Sequence, residues 1–306
     1  MATQPAAPFK SFDLPFGERA WIPSDIHLRV PQSTSIAPNL LHHLIYIPWD
    51  PKHLDLVHPA YRDFFSYVLP NLHVRTTDVH VATCLPFARE LMRDTPGPVD
   101  AQVVHVAFIL HDCGWSQMSD QEIDDSLGVI GLVLTGAAVS PKARHAELGR
   151  DLATRLLSQF ALDPPLGDEK KEMVYTAILF HDKPEQLAAM GNRPPSIQIV
   201  CDTDHLWSFT HKNFWQDTLR KDVDPRLYPN TLGKDLDGYF VAAPGEKKAL
   251  QLLKDRDIEV GRWETGSSGA RAGLPASYEG TAVLQHSACC PGMHRPLAGR
   301  PGRASP

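Results

Sequence analysis

The sequence lacks most of the features that would take a chain out of the ordinary globular class. No apolar run reaches the roughly 18 residues that a membrane span requires. The first residues, "MATQPAAPFKSFDLPFG", do not show the basic-then-apolar order of a signal peptide. Positive charge is not in excess: 30 Lys and Arg against 36 Asp and Glu give a net charge of −6. Neither nucleic acid nor an anionic membrane surface is therefore an expected partner. Cysteine is scarce, with five residues (Cys84, Cys113, Cys201, Cys289 and Cys290) in an odd number and without CxxC spacing. That pattern excludes a disulfide framework and a zinc ribbon, and makes a soluble, reducing, cytoplasmic setting the expectation. No internal repeat stands out. Histidine, by contrast, is plentiful: fifteen among 306 residues, which makes a metal site worth seeking.

The pattern of apolar and breaking residues divides the chain into three parts. Residues 1–52 are punctuated by Pro and Gly and read as an extended arm that packs on the domain. Residues 53–262 carry apolar residues at three- and four-residue intervals, which predicts an all-α domain. Helices are expected over 54–69, 76–93 with an interruption at Pro86, 100–112, 140–160, 167–182 and 196–217, with a last one within 222–262. Several open on Asp, Ser or a Gly-Asp pair, as helix N-termini do. Residues 263–306 are dominated by Gly, Ala, Ser, Pro and Arg and are expected to be a disordered tail.

Ionisable residues recur within these apolar helices. His80 stands in "TTDVHVATCLPFARELM", His111 and Asp112 end "AFILHD", and His145 lies in "RHAELGRDLA". His181 closes "AILFHD", and Asp202 falls in "QIVCDTDHLW". A helical bundle builds a core metal site from such imidazoles and carboxylates converging from facing helices. Adjacent His and Asp can reach one cation from different directions, and the carboxylate can bridge to a second. Asp182 competes as a ligand but reads better as a capping or orienting residue. His105, His205, His211 and the arm histidines read as surface or packing residues, and His73 as a loop histidine.

His80, then His111-Asp112, then Asp202 resembles the H…HD…D signature of the HD-domain superfamily of metal-dependent phosphohydrolases. "RHAELGRDLA" and "AILFHD" resemble two further helices of its dinuclear subgroup, and the resemblance covers about residues 76–215. It implies an HD-type helical bundle in which His80, His111, Asp112 and Asp202 bind one ion. Asp112 would bridge, and His145 with His181 would complete a second site. The chain departs from the pattern after the doublet, where Trp115 and Ser116 stand in place of the small residue and the Lys or His of many relatives.

Imidazole and carboxylate without thiolate suit one or two divalent transition ions per chain, Fe, Mn or Zn. Such ions lower the pKa of water and neutralise charge developing on a phosphate ester, with Asp112 at the reacting centre. The expected function is hydrolysis of a small phosphorylated metabolite or nucleotide. Lys183 and Arg144 are the candidate substrate-binding cations, Lys183 also a candidate catalytic residue. The alternative on the same ligands is a mixed-valent di-iron oxygenase; a catalytically silent binding protein ranks last. Cys113 reads as a buried packing residue, and Tyr61 and Tyr67 as aromatic packing.

Overall fold

Helices account for nearly all of the regular structure, and prolines mark where several of them start. The computed structural model describes residues 9–13, 15–17, 19–23, 47, 49–74, 76–119, 122–123, 141–191, 193–221, 223–234 and 236–265. The described part of the N-terminal arm holds a short antiparallel hairpin, β1 (Phe9–Asp13) and β2 (Arg19–Pro23), rather than extended chain alone. The turn between the strands places Phe16 at a positive φ of 65°. Its ring packs 5.6 Å from His211 and 5.8 Å from Trp215, which ties the hairpin to the helical domain.

The helix expected over 54–69 is broken into short pieces. Pro51, Pro59 and Pro70 each lie in the first turn of a 3-10 segment, around a single α-helix α1 (Arg62–Val68). A proline at a helix start loses nothing, because its missing N–H has no partner there. Then follow α2 (Thr77–Asp94), α3 (Ala101–Leu110), α4 (Pro141–Gln159), α5 (Asp168–Phe180), α6 (Pro184–Ala189), α7 (Pro195–Leu206), α8 (His211–Lys221), α9 (Tyr228–Lys234) and α10 (Ala243–Glu264). α2 runs through Pro86 without the expected interruption. The single helix expected over 196–217 is two helices. A 3-10 turn at Trp207–Phe209 leads to extended Thr210, whose hydroxyl accepts a hydrogen bond from Asn213 N at 3.3 Å and so caps α8.

α3 is the centre of the domain. Every residue from Gln102 to Leu110 is buried, as expected of a helix apolar all round. It packs against α2, α5 and α7, while α4 packs against α5 and against the 3-10 turn Cys113–Gln117 that follows α3. A buried Phe such as Phe108 contributes roughly 1.5–3 kcal/mol relative to exposure. α10 closes over α7; its Trp263 packs 6.1 Å from Trp215, so the helix extends past the boundary expected at residue 262. The rest of the expected tail, residues 266–306, lies outside the described residues, as does most of the segment between Asp13 and Trp49 beyond the hairpin. No helix among the described residues is long and apolar enough to cross a membrane.

Candidate metal centre

α3 and α5 end in the same way and present the same group. Asp100 caps α3 by accepting from Val103 N at 3.1 Å, and the helix stops at Leu110 with His111 as its C-cap residue. His111 Nδ1 donates to Phe108 O at 2.7 Å. At the end of α5, His181 Nδ1 donates to Ile178 O at 2.6 Å. A carbonyl oxygen only accepts, so Nδ1 carries a proton in both rings and Nε2 is the nitrogen turned to Asp112, a donor when the ring is charged and a bare lone pair when it is neutral. This is how metal-binding histidines are oriented by a partner on the far side of the ring.

These nitrogens meet the carboxylate of Asp112, whose two oxygens face different neighbours. Oδ2 lies 3.4 Å from His80 Nδ1 and 3.6 Å from His111 Nε2. Oδ1 lies 3.3 Å from His145 Nε2 and 3.5 Å from His181 Nε2. The two histidines on the Oδ1 side are themselves only 3.0 Å apart, Nε2 to Nε2. Asp204 joins the other side, its Oδ1 3.2 Å from His80 Nε2 and 3.3 Å from His111 Nε2. His80, His111, Asp112 and Asp204 thus offer ligand atoms all within 4.8 Å of one another, and so do Asp112, His145 and His181. A third group, His181, Asp182 and Asp204, meets the same criterion.

A metal ion fits these residues on a simple test. His80 Nε2 and His111 Nε2, which face Asp204 Oδ1 at 3.2 and 3.3 Å, are buried without a hydrogen bond of good geometry. An orphaned buried polar atom costs about 1–3 kcal/mol, and for an imidazole lone pair beside carboxylates a divalent cation removes that cost. The donor set is nitrogen and oxygen. Burial pushes the thiols of Cys84 and Cys113 upward, so both stay protonated, and Cys113 donates instead to Gly149 O at 3.6 Å.

The electrostatics point the same way. Burial raises the Asp112 carboxyl, but the His111 ring and hydrogen bonds from His145, His181 and His80 outweigh it and hold it well below the usual range. Asp204 is likewise held low by His111 and His80 against its own burial. Burial lowers His181, yet Asp112, Asp182 and Asp204 raise it to about 9; His80 is also raised, by Asp112 and Asp204. Two buried carboxylates therefore demand positive charge among these rings, which a divalent ion supplies more fully.

Asp202 is not in this cluster, and the expectation for it is corrected. Its Oδ1 accepts from Val241 N at 2.7 Å and its Oδ2 from Ala242 N at 3.0 Å, so both oxygens are spent on the start of α10. Gly245 allows this approach, since a Cβ there would lie 2.5 Å from Asp202 Oδ2. Burial pushes the Asp202 carboxyl up to about 7 even though the two N–H groups pull it down. Asp204, two residues on, faces roughly 200° away around the helix and lies beside His80 and His111, where Asp202 was expected. It shares its helical face with Ile197, Val200 and Cys201, but the helix is buried on nearly every side, so that face does not single it out in the sequence.

The other expected residues are placed as follows. Arg144 pairs with Glu122 at 2.7 Å with 54% of its side chain exposed. Lys183 precedes α6, its Nζ 5.6 Å over the Phe180 ring. Tyr61 stacks on His105 and Tyr67 packs on Phe160, as packing residues do. His205 stacks on Tyr239 and donates to its carbonyl oxygen, while His211 pairs with Glu259. His73 pairs with Asp78 at 2.8 Å.

An all-helical domain whose buried histidines and aspartates are disposed to hold metal is the class that fold and site define. The family model of the HD domain matches residues 77–207. The match encloses His80, His111, Asp112, His145, His181 and Asp204. No curated protein and no solved structure matches the chain.

Proposed function

We propose that the protein is a metal-dependent phosphohydrolase acting on a small phosphorylated metabolite or nucleotide, with two divalent ions sharing Asp112. The observation that carries this reading is the division of the Asp112 carboxylate, Oδ2 toward His80 and His111 and Oδ1 toward His145 and His181. Divalent ions bound there supply an acidified water and positive charge for a phosphate oxygen. The residues themselves do the holding. The Phe108 and Ile178 carbonyls fix the rings of His111 and His181, and Asp204 completes the His80 side. Near-complete burial of His111, His145 and His181 keeps bulk water from these groups and favours a small substrate. Lys183, next to Asp182, is the cation we assign to the substrate's phosphate. Buried free Cys84, Cys113 and Cys201 suit a reducing compartment.

The test is phosphate release from a panel of small phosphoesters under anaerobic conditions, with Mn²⁺, Fe²⁺ or Zn²⁺ supplied. Release that is lost in Asp112→Ala supports the proposal. No release from any ester, or turnover only with oxygen and reduced iron, would overturn it. The second outcome belongs to an alternative reading, a di-iron oxygenase, which the exclusion of water from the three histidines favours.

A further inference from the structure

The four histidines of the centre are not oriented alike. His111 and His181 are each locked through Nδ1 to a backbone carbonyl, and His80 has a carboxylate within reach of each nitrogen. His145 has no such lock: its Nδ1 is buried without a hydrogen-bond partner. What lies against it is the indole of Trp115, parallel to the imidazole at 11° with ring centroids 4.1 Å apart. The same indole donates its Nε1–H to Asp112 Oδ1 at 3.0 Å, the oxygen that faces His145 and His181.

Trp115 is itself held on several sides. It is 3% exposed, packed with Met118 and Ile123 and against Val74 and Leu148. Its turn lies flat on α4: a Cβ on Gly114 would come 1.9 Å from His145 O and 2.5 Å from Gly149 N, so glycine alone permits that approach. The turn that carries the indole is thereby seated on the helix that carries His145.

We propose that Trp115 is the positioning residue of the second cation subsite. It sets the ring plane of His145 by stacking, and it occupies one lone pair of Asp112 Oδ1 so that the other is directed at the His145–His181 pair. A carboxylate oxygen has two acceptor directions, and fixing one orients the other. The group Trp115 touches is on the Oδ1 side, so its removal acts on the ion there and leaves the His80–His111–Asp204 side in place. The inference rests on the two-ion reading above.

The test is a Zn²⁺ titration of the metal-stripped full chain by calorimetry. Wild type is expected to take two ions. Trp115→Phe keeps a ring against His145 but loses the N–H, and should weaken the second ion about 10-fold; Trp115→Leu loses both and should weaken it about 100-fold, the span found when outer partners of metal ligands are removed. First-ion affinity should hold in both, which also shows that the variants are folded. Second-ion affinity unchanged in both variants, or both ions weakened alike, would overturn the role. In unaltered protein the ¹⁵N indole resonance of Trp115 should move on Zn²⁺ saturation, and a resonance that does not respond would overturn it whether or not the variants fold. A wild type that takes fewer than two ions would instead sink the two-ion reading itself.

Discussion

Two aspartates, two residues apart on one helix, divide structure from chemistry. Asp202 accepts two backbone N–H groups at the start of α10, and Asp204 turns its carboxylate to His80 and His111. Asp202→Ala is expected to lower unfolding free energy by about 1–3 kcal/mol, because two N–H groups lose their acceptor, while metal content stays near wild type. Asp204→Ala should reverse the pattern, losing the ion on the His80 side with little change in the urea midpoint. Loss of metal in the Asp202 variant without loss of stability would mean the assignments are exchanged. His80, His111, Asp112 and His181 stood out because each interrupts an apolar stretch at or near a helix end, and His145, in the polar context "KARHAELGR", because that segment resembles a further helix of the family. The choice between Asp202 and Asp204 was not legible, because α7 is buried on nearly every side and apolar neighbours flank both. Only the partner of each carboxylate, one of them supplied by a segment 39 residues away, separates them.

At the scale of elements, α8 and α10 are tied by a partly buried charged group. Glu259 accepts from His211 Nδ1 at 2.9 Å, Trp215 Nε1 at 3.0 Å and Arg256 at 2.7 Å, and Arg256 also reaches Phe209 O at 3.3 Å. Burial raises the Glu259 carboxyl, but these donors outweigh it and hold the group below its ordinary value of 4.5. A carboxylate depressed in the folded state stabilises above its unfolded pKa, and that contribution is lost as pH falls through the lower folded value. The urea midpoint of wild type should therefore drop below about pH 4.5, and Glu259→Gln should start lower at neutral pH and drop less over the same interval. Equal acid slopes in the two proteins would show that the tie does not titrate. The helices themselves were largely legible, α3 from Asp100 and its apolar run, α5 from the Gly-Asp pair. The break between α7 and α8 was not, since neither Gly nor Pro marks it; the signal present was Thr210 as a cap. Pro86 misled in the other direction, because α2 continues through it.

At the scale of the molecule, the fold is a device for bringing helix ends and one helix face to a common point. α3 and α5 each finish with a His-Asp pair, α2 and α4 each bring one histidine, and α7, packed on α2, α3 and α5, brings Asp204. The segments that carry these residues lie far apart in sequence; the order of histidines and aspartates along the chain pointed to the set and the family resemblance to a shared Asp112, whereas which histidines face each of its oxygens required coordinates. The N-terminal hairpin and α10 lie outside the matched HD segment, and both bear on Trp215, through Phe16 and Trp263. They reinforce the domain without entering the centre.

The most direct measurement is anomalous diffraction from crystals of the full chain grown with Mn²⁺ or Fe²⁺, collected at the edge of the added metal. Two peaks are expected, one on the Oδ2 side of Asp112 among His80, His111 and Asp204, the other on the Oδ1 side between His145 and His181. Density with no peak at Asp112, or a single ion bound by His80, His111 and Asp204 alone with His145 and His181 still facing each other metal-free, would contradict the shared centre.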